Sequence, residues 1–102
     1  MLPDELIGRL VISKSGRDEG KPFAVLKVLN DRFVIVADGD LRKVENPKMK
    51  NIRHIQVTNR GIPEIVELMK SGGTIENHKL RKIIRGMWSD YQEDTGKEVP
   101  AE

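Results

Sequence analysis

The run Phe23-Ala24-Val25-Leu26-Lys27-Val28-Leu29-Asn30-Asp31-Arg32-Phe33-Val34-Ile35-Val36-Ala37 decides the fold. Two almost unbroken apolar stretches flank Asn30-Asp31, a pair that favours a tight turn, so the segment reads as a β-hairpin with strands over 23–29 and 32–37. Both strands are apolar on both faces. One face then lines an interior and the other needs a cover.

Working outward, 9–14 reads as a strand and breaks at Ser15-Gly16. Residues 16–22 form a loop, because Gly16 and Gly20 are free to take positive φ and Pro22 cannot continue a ladder. Beyond the hairpin, Asp38-Gly39 stops the third strand. The spacing predicts a short fourth strand over 41–44, a loop over 46–51 around Pro47, and a fifth strand over 52–57. Five short strands with short connections predict a small closed or half-open barrel. The cover comes next in the chain. Ile62, Ile65, Val66 and Met69 make one stripe of a helix that begins near Pro63 and ends at Gly72-Gly73. Thr74 is the expected N-cap of a second helix. Its stripe is Leu80, Ile83, Ile84, Met87, Trp88 and Tyr91, with Lys79, Arg81, Lys82 and Arg85 on the other face. The organisation expected is a barrel over 1–60, a helical hairpin packed on it over 61–91, and an acidic, disordered tail over 92–102.

Composition narrows the function classes. The chain has 102 residues, 37% of them hydrophobic, and no cysteine, which excludes disulfides and thiolate-bound zinc and fits a reducing cytoplasm. No stretch is long and apolar enough for a membrane span, and Asp4, Glu5 and Arg9 interrupt any signal peptide. The net charge of +2 conceals a strong asymmetry. Residues 41–60 carry six bases against Glu45 alone, a net of +5, whereas 86–102 carry one base against five acids, a net of −4. A solvated basic face with a solubilising acidic tail accounts for this; so does a patch aimed at a polyanion.

Candidate chemistry is sparse. His54 and His78 have no partner at metal-ligand spacing. Asp38-Gly39-Asp40 lacks the further oxygen ligands of a calcium loop. Gly16 and Gly20 with Lys21 lack the spacing and the following helix of a phosphate loop. No serine has a matching histidine and acid. The four aromatic residues are too few for a stacking platform, and Trp88 sits in an apolar stripe. The expectation is therefore a non-catalytic protein with no cofactor, no metal and no small-molecule substrate. Any nucleic-acid binding would rest on phosphate contacts and shape.

The run Gly8-Arg9-Leu10-Val11-Ile12-Ser13-Lys14-Ser15-Gly16-Arg17-Asp18-Glu19-Gly20-Lys21-Pro22-Phe23-Ala24-Val25 resembles a KOW motif, a strand–loop–strand element of ribosomal proteins and transcription elongation factors. Continued through residues 37–55, the chain resembles the small bacterial KOW-domain RNA-binding proteins. These are related to large-subunit ribosomal proteins of the fourteen-e, six-e and twenty-seven-e group. The resemblance spans roughly 7–88. It implies a five-stranded SH3-like barrel followed by two short α-helices, and binding to structured, ribosomal RNA, with ribosomal proteins as further partners. The residues it assigns to RNA are Lys14, Arg17 and Lys21 in the first loop, then Arg42, Lys43, Lys48, Lys50, Arg53 and His54. SH3-like barrels also bind peptides and partner domains, so a protein-interaction module, with the helical stripe ending in Trp88 and Tyr91 partly exposed, is the alternative.

Overall fold

Residues 3–95 are described by the structure, a computed structural model. The strands are β1 (Arg9–Ser13), β2 (Pro22–Val28), β3 (Phe33–Ala37), β4 (Lys48–Asn51) and β5 (Ile55–Gly61), followed by helices α1 (Pro63–Ser71) and α2 (Asn77–Thr95). All neighbouring pairs are antiparallel, in the order β4-β3-β2-β1-β5, which leaves β4 and β5 as the edges of an open sheet. A single 3-10 turn, Ile52–His54, carries the chain from one edge to the other.

The two-faced central hairpin explains the core. Val11, Phe23, Val25, Val34, Val36 and Ile55 cluster on one face with Leu6 from the N-terminal 3-10 turn. Leu10, Ala24 and Ala37 point the other way and meet Ile62, Ile65, Ile75, Leu80 and Ile84. Ala24 and Ala37 are direct cross-strand partners, and their small side chains let the helices approach the sheet closely. Each buried aliphatic chain stabilises this layer by about 1.5–3 kcal/mol. The expected cover is thus present, as two helices on one face of the sheet. Tyr91 is buried and Trp88 half-buried, stacked on each other at 5.8 Å, so the end of the stripe is largely packed, with Trp88 partly exposed.

Several boundaries differ from expectation. Residues 41–44 are not a strand. Asp38 Oδ1 accepts hydrogen bonds from the backbone N–H groups of Asp40 and Arg42, and the Arg42 carbonyl accepts from Asp38 and Gly39, which turns the chain there. The fourth strand lies at Lys48–Asn51, inside the expected loop. Its inward residue is Lys50, only 6% exposed, and a lysine on the buried face erases the apolar alternation that marks a strand. The fifth strand starts at Ile55 and runs on to Gly61, because Asn51 accepts from the Arg53 N–H and caps the 3-10 turn over 52–54. Finally, α2 starts at Asn77, three residues after Thr74, and continues to Thr95. Residues 92–95 are therefore helical where a disordered tail was expected; the rest of that tail lies outside the described residues.

Candidate nucleic-acid interface

The loop between β1 and β2 is built around Asp18. The Ser13 hydroxyl donates to its Oδ1 at 2.6 Å, Lys48 Nζ lies 2.9 Å from Oδ2, and Lys50 Nζ lies 3.2 Å from Oδ1. Lys50 also donates to the Ser15 carbonyl at 3.0 Å. Two backbone bonds close the neck of the loop, Gly20 N–H to the Ser13 carbonyl and Ser13 N–H to the Lys21 carbonyl. Burial opposes ionisation of Asp18. The hydrogen bonds from Ser13, Lys48 and Lys50 outweigh it and hold the carboxyl at about 2, below its ordinary 3.8. Two of the nine residues expected at RNA are therefore engaged inside the protein. Lys50 is buried, and Lys48 keeps only a partly exposed side chain beside the same carboxylate.

Once Asp18 is neutralised from within, the rest of that loop faces solvent as cations. Lys14, Arg17 and Lys21 are exposed, accompanied by a single exposed acid, Glu19. Gly20 stands at φ +85° with nothing within 4 Å of where a Cβ would be, so this part of the backbone is open to an approaching surface. The Lys14 N–H donates to the His54 carbonyl at 2.8 Å, which seats the exposed Arg53 and His54 beside the start of the loop. The Ile52 N–H donates to the Arg32 carbonyl at 2.7 Å, bringing the exposed Arg32 into the same neighbourhood. The sequence reading did not include Arg32, because it belongs to the β2–β3 turn and meets the others only through the sheet's curl.

Arg42 and Lys43 lie elsewhere, in the turn region between β3 and β4. The Val44 N–H donates to Asn77 Oδ1 at 2.8 Å, so these two residues sit by the start of α2. Gly39 fixes this docking. At φ +80° its hypothetical Cβ would lie 2.2 Å from the Asn77 carbonyl oxygen, a position no other residue fits. The stretch that looked densest in positive charge along the chain is thus divided in space: Arg53 and His54 join the first loop, Lys48 and Lys50 pack under it, and Arg42 and Lys43 border the helix. Among the described residues no group of three or more His, Asp or Glu is arranged to hold a metal ion, and no helix is long and apolar enough to cross a membrane. No protein-family model matches the chain, and comparison with curated proteins gives no match.

Proposed function

We propose that the protein is a non-catalytic, cytoplasmic module that docks on structured RNA, ribosomal RNA in particular. The observation that carries this reading is the loop over 14–21. Its own Asp18 is consumed by Lys48 and Lys50, while Lys14, Arg17 and Lys21 remain exposed next to Arg53 and His54. A rigid, cation-bearing loop loses little conformational entropy on meeting phosphates. Arg17 and Arg53 engage them bidentately and the lysines act as point charges. The KOW-like run over 8–25 supports the same choice of ligand. The finer reading of the sheet as an SH3-like barrel is supported by the strand order, the 3-10 turn between β4 and β5, and an inner cluster drawn from β1, β2, β3 and β5. The protein-interaction reading has less surface to rest on, since Tyr91 is buried and only Trp88 of that pair is partly exposed.

Ultraviolet crosslinking in cells, followed by sequencing of attached nucleic acid and mapping of modified peptides, tests the proposal. Ribosomal RNA adducts on the peptides containing 14–21 and 53–54 are expected. Recovery of protein partners without RNA would overturn it.

A further inference from the structure

We infer that α2 supplies a second phosphate-binding row, with Arg81 and Arg85 joining Lys21 to Lys43 into one track for the RNA backbone; this rests on the RNA-binding reading above. Two depressions meet at Arg81. One, about 160 Å³, is lined by Lys21, Leu41, Arg81, Arg85 and Trp88 together with Asp38 and Asp40. The other, about 520 Å³ and wide open, is lined by Lys43, His78 and Arg81 together with Glu45 and Glu76. Arg81 is the residue common to both, so cations from two separate loops border one helix face.

Of the four acids in this region, two are held by hydrogen bonds inside the fold and stay ionised. Asp38 Oδ1 accepts two backbone N–H groups, and Glu45 accepts from the Asn77 side chain, which holds its carboxyl below the usual range. Asp40 and Glu76 make only long, exposed contacts of 3.8 Å, to Arg85 and His78.

The helix's own sequence gives the independent argument. From Asn77 to Ser89 it carries Lys79, Arg81, Lys82 and Arg85 and no acid, while Asp90, Glu93 and Asp94 follow in its C-terminal half. That order opposes the helix dipole at both ends, and Arg81 and Arg85 repel each other at i, i+4. A charge arrangement that costs helix stability marks a surface kept for a ligand. Arginines spaced one helical turn apart suit successive phosphates of a polyanion. Lys79 and Lys82, although exposed, line neither depression, and they serve as the internal control.

The experiment uses the full chain and a fluorescein-labelled RNA hairpin, with affinity measured by anisotropy across a salt series. Arg81→Ala with Arg85→Ala should weaken low-salt affinity about tenfold or more. It should also reduce the log–log salt slope by about 1.4–1.8. Lys79→Ala with Lys82→Ala should leave the slope unchanged. Both variants gain helix propensity, and circular dichroism confirms their fold. If the Arg81/Arg85 variant keeps the wild-type slope, or if both pairs lower it equally, the track over α2 is wrong while the loop-centred reading stands. If the wild-type chain shows no salt-dependent binding to any RNA, the RNA reading itself fails and takes this inference with it.

Discussion

Asp18 is the residue on which the local chemistry turns. It was invisible as such in the sequence, where it is one acid in a loop of mixed charge. Its two lysine partners stand 30 and 32 positions away and meet it only when β4 lies under the loop. Removing the carboxylate would strand a buried ammonium, so Asp18→Asn should destabilise the fold by about 3 kcal/mol in urea denaturation. Adding Lys50→Met to that variant should recover a good part of the loss. The pH dependence has a definite sign. A carboxyl depressed in the folded state contributes stability that is complete above its unfolded value and disappears as pH falls towards about 2. That contribution is about 2 kcal/mol, and Asp18→Asn should flatten the acid limb of a stability–pH curve between roughly pH 4 and 2. An unaltered limb would show that another group governs acid unfolding.

At the scale of elements, the apolar hairpin and the two helical stripes were legible because their periods were clean. β4 was not, because its one buried side chain is lysine, and 41–44 was misread because the short run between Leu41 and Val44 passes for extended chain, where the Asp38 side chain turns the backbone. The start of α2 was missed for a related reason. Asn77 bonds to Val44 and Glu45, while Ile75 is buried in the core, so the chain stays non-helical past Thr74. The docking at Gly39 gives a sharp contrast. Gly39→Ala combines positive φ with a backbone clash and should cost at least about 3 kcal/mol, whereas Gly20→Ala, in open space, should cost only about 1–2 kcal/mol. Thermal melts of the two variants check this, and equal losses would contradict the tight seat of the turn on α2. The reversed charge order of α2 yields another expectation: Lys79→Glu should raise stability by about 0.3–1 kcal/mol.

For the molecule as a whole, the linear charge count pointed to one continuous basic segment, and the fold divides it. The segment of net +5 is parted by folding, and its centre is spent on holding a loop contributed from elsewhere. The exposed cations that gather around the first loop come from the β1–β2 loop, the 3-10 turn and the β2–β3 turn, which only the sheet topology brings together. Spacing along a chain could not reveal that. The most direct measurement is the salt dependence of RNA affinity for the wild-type chain against Lys14→Ala/Arg17→Ala/Lys21→Ala. The variant should remain folded, bind more weakly, and lose about 2–3 from the log–log slope, close to one phosphate per side chain. Wild-type affinity indifferent to salt, or a variant whose slope matches wild type, would contradict the assignment of that loop to RNA.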